Sequence, residues 1–221
     1  MPVNKEAYKQ ITEELSEKNV TLVAVSKTKP IEDILELYEP GHRDFGENYV
    51  QELIDKVDKL PKDIRWHFIG HLQSNKVKFI APFVYLIHGV DSWKLLKEIN
   101  KQAEKNNRFI DCLLQVHIAQ EETKFGFDEQ ELLNTNWNEL HELKNTRVVG
   151  LMGMASFTDD MDKVRTEFKQ LKNIYEKLQT SNFKPQILSM GMSSDYKTAI
   201  EEGSNMVRIG SLLFGERNHQ K

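Results

Sequence analysis

The sequence predicts a single (β/α)8 barrel with an extra helix at its N-terminus. Eight short apolar or β-branched runs, the amphipathic stretches between them and a length of 221 residues together indicate this fold class. A doubly wound open sheet is the alternative, because the weakest of the eight runs, residues 44–46, is short. No Pro- or Ser-rich linker and no internal repeat divides the chain, so we expect one domain over residues 1–221.

The predicted strands are short, and some are apolar on both faces. They lie at residues 21–26, 44–46, 65–69, 84–90, 110–118, 148–154, 187–190 and 206–209. The runs at residues 22–25 and 113–116 have no polar face, which is typical of parallel strands that are covered on both sides.

The predicted helices fill the intervals between these strands. One precedes the first strand, and the others begin near Ile31, Tyr49, Gln73, Ser92, Asp128, Asp159 and Ser194. Pro30 is expected in a first helical turn, where its missing N–H costs little. Gly203 is expected as a C′ cap before the last strand. The longest predicted loop covers residues 120–128.

Composition indicates a soluble protein without a membrane or nucleic-acid partner. Hydrophobic residues make up 39% and charged residues 29% of the chain, and the net charge of −4 gives no general attraction to nucleic acid. No apolar stretch approaches the ~20 residues that span a bilayer, and the first 17 residues lack the apolar core of a secretory signal. The single cysteine, Cys112, excludes an internal disulfide and suits a reducing compartment. We therefore expect a cytoplasmic location.

Lys27 is the first candidate functional residue. It directly follows the strand at residues 21–26, and the carboxyl ends of barrel strands form the active-site face. Desolvation there favours the uncharged amine, which is the form that condenses with an aldehyde. A solvated loop lysine is the ordinary alternative. Lys29 competes for the role, but it lies next to Pro30 and farther from the strand.

Two loops near the end of the sequence combine glycine with hydroxyl side chains. The first follows the strand at residues 187–190 and contains Ser193 and Ser194; the second begins at Gly210. Barrels commonly bind phosphate with the loops after their last two strands, so these loops predict a phosphorylated ligand. A role for Ser193 or Ser194 as a helix N-cap is compatible with this. Arg208 lies within the last strand, where its side chain can point inward.

Other polar residues carry weaker signals. Asn48 ends the second strand and could bind a ligand or cap the next helix. His67 and His71 are four residues apart in a strand-like stretch, which is too far for one metal ion, and no zinc motif is present. We predict no metal site and expect His67 to be packed or to face a ligand.

Five sequence blocks taken together resemble the pyridoxal phosphate homeostasis protein family, also named from its proline synthetase co-transcribed homologue. The blocks are AVSKTKP (24–30), FGENYVQE (45–52), WHFIGHLQSNK (66–76), GLMGM (150–154) and SMGMSSD (189–195), the last continued by RIG (208–210). The resemblance extends from Leu22 to Arg217. It implies a fold similar to the N-terminal domain of alanine racemase, with pyridoxal 5′-phosphate (PLP) bound covalently at Lys27. The other implied cofactor contacts are Asn48 and Met152 beside the ring, Arg208 near the pyridine nitrogen, and Ser193, Gly210 and Ser211 at the phosphate.

The resemblance implies a role in intracellular vitamin B6 homeostasis rather than robust catalysis. An arginine at the pyridine nitrogen disfavours its protonation and weakens the ring as an electron sink. The sequence ends soon after Gly215, which leaves no room for the second domain that gives alanine racemases a catalytic tyrosine. We expect a monomeric carrier that buffers PLP and delivers it to apo-enzymes.

Two enzymatic alternatives remain. One is a racemase of low activity, with Lys27 as one base and Tyr49, His67 or Tyr196 as the other. The other is a phosphosugar aldolase that uses the same lysine, which explains the phosphate loops but not the five matching blocks.

Overall fold

The fold is a closed barrel of eight parallel strands. A computed structural model describes residues 3–119, 125–179 and 183–216. The strands pair in sequence order, and β8 pairs with β1 to close the barrel. The predicted (β/α)8 barrel is therefore confirmed, and the open-sheet alternative is wrong. The strands are Thr21–Val25 (β1), Asp44–Glu47 (β2), Arg65–Phe68 (β3), Leu86–Val90 (β4), Ile110–Val116 (β5), Thr146–Gly153 (β6), Ile187–Ser189 (β7) and Met206–Ile209 (β8).

Each predicted strand overlaps an observed one, and the differences at the ends have local causes. The predicted run at residues 84–90 begins two residues before β4, because the Val84 N–H donates to the Ile80 carbonyl at the end of the preceding helix. The apolar run suggested a strand from Val84, but the backbone hydrogen bond places that residue in the turn that follows the helix ending at Ile80.

Helices cover the outside of the barrel, and the extra N-terminal helix is present. They are Lys5–Glu17 (α1), Ile31–Tyr38 (α2), Val50–Val57 (α3), Val77–Ile80 (α4), Trp93–Lys105 (α5), Glu129–Leu133 (α6), Met161–Lys177 (α7), Tyr196–Glu201 (α8) and Ser211–Phe214 (α9). Short 3₁₀ segments lie at Ser74–Lys76 and Trp137–Glu142.

The predicted caps have mixed outcomes. Pro30 is the extended N-cap residue of α2 (φ −68°, ψ 167°) rather than part of its first turn, so that prediction was wrong by one position. Asp195, and neither Ser193 nor Ser194, is the N-cap residue of α8. Gly203 has φ +95° and its N–H donates to Ile200, which confirms the C′ cap. Residues 120–124 of the predicted long loop and Arg217 lie outside the described residues.

The core has two layers, one outside the strands and one inside the barrel. The large layer lies between the strands and the helices. A small inner cluster fills part of the barrel interior: Val23, Leu86, Leu113, Met152 and Met206. No helix in the described ranges is long and apolar enough to cross a bilayer.

The thiol of Cys112 is expected to be inert in the folded protein. It is fully buried on β5, 3.4 Å from the Thr146 hydroxyl, and burial raises its pKa to about 12. The thiolate is the reactive form, so a disulfide reagent such as DTNB should find no reactive group at pH 8. After denaturation it should titrate one thiol per chain, because Cys112 is the single cysteine. Reaction of the native protein at the rate of a free thiol would contradict this burial.

Candidate functional site

A cavity of about 400 Å³ opens at the carboxyl ends of the strands. Six of the seven predicted site residues line it: Lys27, Asn48, Ser193, Arg208, Gly210 and Ser211. We call it the mouth cavity. Because these residues come from four separate strand ends and the loops that follow them, only closure of the barrel brings them together.

Met152 does not reach the mouth cavity. Its side chain is buried in the inner cluster, whereas Met154, two residues later, lines the cavity wall. Alternate residues of a strand share one face, so both methionines point inward and differ only in height. Met154 rather than Met152 therefore lines the cavity wall, and the implied contact of Met152 with the cofactor ring stays a prediction. The available signal was that Met154 lies past the end of β6, closer to the carboxyl face.

Lys27 stands in a tight turn with a strained residue. The Lys29 N–H donates to the Ser26 carbonyl (3.0 Å), which closes the turn around Lys27 and Thr28. Thr28 has φ +64°, a conformation that is uncommon for a β-branched residue and costs about 1–3 kcal/mol. Since Ser26 is buried toward α3 and alternate residues face opposite sides, Lys27 emerges on the inner side of the barrel.

A buried ionic cluster contacts this turn on its α3 side, away from the barrel interior. We call Lys56, Glu47 and Glu52 the Lys56 cluster. Lys56 Nζ donates to Glu47 Oε1 (2.7 Å), to Glu52 Oε1 (2.6 Å) and to the Ser26 carbonyl (2.9 Å). Glu52 Oε1 accepts the Thr28 N–H (2.5 Å), and Glu47 Oε1 accepts the Ser26 hydroxyl (2.7 Å). The cluster therefore contacts both sides of Lys27 in the chain and stabilises the strained turn.

Sequence reasoning missed the Lys56 cluster. The Glu52–Lys56 spacing of i,i+4 on one helix was the available signal, but such pairs are usually solvated. Here Glu47 is fully buried, and burial raises the pKa of its carboxyl while Lys56 opposes that shift. The burial follows from the packing of α3 against β1 and β2, which the spacing does not reveal.

Lys29, the competing lysine, has a structural role. Its Nζ donates to the carbonyls of Phe214 (2.6 Å) and Gly215 (3.4 Å), at the end of α9. These bonds tie the loop after β1 to the C-terminal helix. The Lys29 ammonium group is thus bonded to backbone acceptors, although its side chain also lines the mouth cavity.

The two predicted anion-binding loops are joined to each other. The Gly210 N–H donates to Ser193 Oγ (3.1 Å), which holds the loop after β7 against the loop after β8. Gly191 has φ +97°, and a Cβ there would lie 2.6 Å from the Ala199 Cβ, so this turn requires glycine. Hydroxyl and backbone N–H donors of Ser193 and Ser211 thus meet at one edge of the mouth cavity, where they can bind a phosphate.

Arg208 is buried in the wall of the mouth cavity. Its Nη1 donates to the Ser189 carbonyl (3.0 Å) and hydroxyl (2.6 Å), and Nη2 donates to the Gly153 carbonyl (3.1 Å). Burial lowers the pKa of the guanidinium to about 10, partly offset by Asp195, so Arg208 is a cation at neutral pH. A guanidinium has five N–H donors, and two find no acceptor in the described part of the chain. They remain for a ligand acceptor.

Asn48 lines the mouth cavity and carries an unsatisfied acceptor. Its Oδ1 is buried and has no hydrogen-bond partner among the described residues. Its backbone lies against Gly70, where an added Cβ would come within 2.3 Å of the Asn48 carbonyl oxygen. A buried acceptor without a partner costs about 1–3 kcal/mol, so a ligand donor at this point would be stabilising.

The histidines and tyrosines that sequence reasoning considered lie elsewhere. His67 is buried below the cavity, while His71 pairs with Asp91 (3.0 Å) at the surface. Tyr49 is 54% exposed and lines a neighbouring pocket. The Tyr196 hydroxyl donates to Glu14 on α1 (3.2 Å), and burial raises its pKa to about 12. Within the described ranges, no group of three or more metal-ligating side chains is placed to hold a metal ion.

Comparisons with known proteins agree with this geometry. The profile of the family described as "Alanine racemase, N-terminal domain" matches residues 5–218. A relative from Aquifex aeolicus named "Pyridoxal phosphate homeostasis protein" is 45% identical over 200 residues, 90% of this chain and 87% of the relative. One of the same name from Schizosaccharomyces pombe is 40% identical over 215 residues, 96% and 90% of the two chains. This chain belongs to the pyridoxal phosphate homeostasis protein family.

Solved structures support the membership in this family. PipY from Synechococcus elongatus, determined without PLP, is similar with a TM-score of 0.89 and 35% identity, covering 95% of this chain and 99% of PipY. The structure of PipY with PLP bound gives a TM-score of 0.85 and 34% identity over the same shares. The resemblance stated from the five sequence blocks is therefore confirmed.

Proposed function

We propose that this protein binds PLP as a Schiff base on Lys27 and acts in vitamin B6 homeostasis, as a carrier that buffers the cofactor and delivers it to apo-enzymes. The observation that carries the proposal is the convergence of an amine, a guanidinium and a set of hydroxyl and N–H donors on one cavity. The names of the relatives and the PLP-bound structure of PipY support the identity of the ligand.

The residues present fit this cofactor by their chemistry. Ser193 and Ser211, whose loops are joined through the Gly210 N–H, supply donors for a phosphate dianion. Asn48 Oδ1, which is buried without a partner in the described residues, supplies an acceptor for the ring hydroxyl. Arg208 retains donors for the pyridine nitrogen. When bound, PLP supplies an aldehyde for imine formation and an electron-withdrawing ring.

The position of Arg208 favours a carrier over a catalyst. The guanidinium stays charged at neutral pH and can only donate hydrogen bonds, so it requires an unprotonated pyridine nitrogen as its acceptor. An unprotonated ring stabilises a carbanion poorly, which lowers the rate of any racemisation or elimination.

The alternative of a low-activity racemase also needs a second base. Tyr49, His67 and Tyr196 were the candidates, and none of them lines the mouth cavity. We therefore propose that the protein has no robust catalytic activity, and that it acts as a cytoplasmic, single-domain monomer. A phosphosugar aldolase stays the least supported reading, because it does not account for membership in this family.

The test begins with apo-protein titrated with PLP and followed by visible absorption. We expect an absorption band that borohydride removes, and a reduced pyridoxyl label that peptide mass spectrometry finds on Lys27. The loaded protein should then restore activity to a PLP-requiring apo-enzyme. Absence of the band at saturating PLP, or a label on another lysine, would contradict the proposal.

A second experiment separates the carrier from the racemase. Amino acids are incubated with the loaded protein in D₂O, and deuterium at the α-carbon is measured by mass spectrometry. We expect no incorporation above that of free PLP. Stereospecific exchange with one amino acid at enzymatic rates would establish the racemase instead.

A further inference from the structure

Five buried polar side chains form a continuous hydrogen-bonded line through the barrel interior. Asp44 Oδ1 lies 3.0 Å from His67 Nε2, and His67 Nδ1 lies 2.9 Å from His88 Nε2. His88 Nδ1 lies 3.3 Å from Ser189 Oγ, which is 2.6 Å from Arg208 Nη1. We call this line the interior relay. It joins β2, β3, β4, β7 and β8, and it crosses the barrel from its amino-terminal face to the mouth cavity.

With both histidine rings neutral, the two ends of the interior relay determine the direction of every bond between them. Arg208 can only donate, so Ser189 Oγ accepts from it, and the Ser189 hydroxyl has its own proton to donate to His88 Nδ1. A carboxylate can only accept, so His67 carries its proton on Nε2 and accepts at Nδ1. Each hydrogen bond of the relay then contains one proton, and in each bond the acceptor is the group nearer to Asp44.

The charges around the interior relay agree with this direction. Burial opposes ionisation of Asp44, but hydrogen bonds from Arg65 to both carboxylate oxygens and from His67 outweigh it, so the pKa of Asp44 is well below its usual range. Burial lowers the pKa of His88 well below its usual value. His88 is therefore neutral at physiological pH, as a single proton in each link requires.

We propose that His67, His88 and Ser189 are positioning residues for the mouth cavity. Through the interior relay they hold the Arg208 guanidinium toward the pyridine nitrogen of PLP. The Asp44 carboxylate fixes the direction of the hydrogen bonds in this line. Because the Ser189 hydroxyl donates its proton toward His88, its oxygen is a stronger acceptor for Arg208. The role at the cofactor rests on the proposed function, whereas the direction of the relay does not.

The first test needs no cofactor. Nitrogen-15 NMR of histidine-labelled apo-protein reports which ring nitrogen carries the proton, and loss of signals in His67→Gln and His88→Gln identifies the two residues. We expect both rings as neutral Nε2–H tautomers at pH 7.5. An Nδ1–H tautomer or a doubly protonated ring at either position would overturn the relay, whatever the outcome with PLP.

Asp44→Asn should weaken the relay at its amino-terminal end. Asp44 Oδ1 accepts from both Arg65 Nε and His67 Nε2, so we expect the amide oxygen at this position and the NH₂ group opposite Arg65 Nη2. His67 then donates to a neutral amide instead of a carboxylate, which weakens the polarisation of His88 and Ser189 and the acceptor strength of Ser189 for Arg208. Because the line loses its charged acceptor, we expect PLP binding to weaken on the order of tenfold, and the visible band of the bound cofactor to shift.

Asp111→Asn is the matched control. Asp111 lies at the same face of the barrel and accepts two hydrogen bonds from Arg147 (2.7 and 3.0 Å), but it is not part of the relay. It should leave the tautomers, the band and the affinity unchanged. Unchanged PLP affinity and spectrum in a folded Asp44→Asn variant would overturn the positioning role. If Asp44→Asn fails to fold, Ser189→Ala interrupts the same line, and unaltered PLP binding by that variant would overturn the proposal equally.

Discussion

Replacing Lys56 with methionine is expected to lower the free energy of unfolding by about 3–5 kcal/mol. The change leaves the fully buried Glu47 carboxylate without its cation, and it removes the ammonium that binds the Ser26 carbonyl and Glu52. Methionine preserves the length and most of the apolar contacts of the lysine stem, so the loss comes from the uncompensated charge. Urea denaturation followed by circular dichroism measures it.

Lys59→Met is the matched control for this prediction. Lys59 is exposed and lies just past α3, so its replacement should change the free energy of unfolding by less than about 0.5 kcal/mol. The double variant Glu47→Gln, Lys56→Met should recover part of the loss, because it removes the buried negative charge as well. Equal urea midpoints for Lys56→Met and Lys59→Met would show that the Lys56 cluster does not stabilise the fold.

Replacing Lys27 with alanine is expected to abolish the borohydride-sensitive absorption band and to weaken PLP binding by at least about a hundredfold, or ~2.8 kcal/mol. The phosphate loops and Arg208 would remain, so weak noncovalent binding should persist. Visible absorption, borohydride labelling and equilibrium dialysis measure the band, the attachment and the affinity.

Lys29→Ala separates the two candidate lysines. Lys29 Nζ is hydrogen bonded to carbonyls at the end of α9, so this variant should keep the band and the Lys27 label while losing some stability of the C-terminal helix. A variant lacking Lys27 that still forms the band, together with a Lys29→Ala variant that does not, would transfer the anchor to Lys29.

The strained turn at Thr28 connects the prediction for Lys56 with the prediction for Lys27. Thr28 is held at φ +64° by a hydrogen bond to Glu52, and Glu52 is in turn held by Lys56. Residues in such conformations persist only where the surroundings enforce them, and they are concentrated at functional sites. The stability of the Lys56 cluster is thus coupled to the placement of the Lys27 side chain, even though no member of the cluster lines the mouth cavity.

The sequence by itself determined the barrel and the identity of most residues at its mouth. Alternating strands and helices of suitable length have few ways to cover both faces of a parallel sheet, so the pattern predicted a (β/α)8 barrel. The place of Lys27 directly after β1, and of Ser193 and Gly210 directly after β7 and β8, predicted that they meet at one end. These are local positions relative to a strand end, and a sequence records them.

Only the tertiary structure decided which methionine forms the cavity wall and which polar groups lie in contact behind and beneath it. It put Met154 rather than Met152 at the cavity wall, because the height of an inward-facing side chain depends on the stagger of neighbouring strands. It also brought Lys56 to Ser26, and His88 to Ser189, which are 30 and 101 positions apart in the chain. Contacts at such separations form when the barrel closes and its interior excludes water, and no spacing in the sequence encodes them.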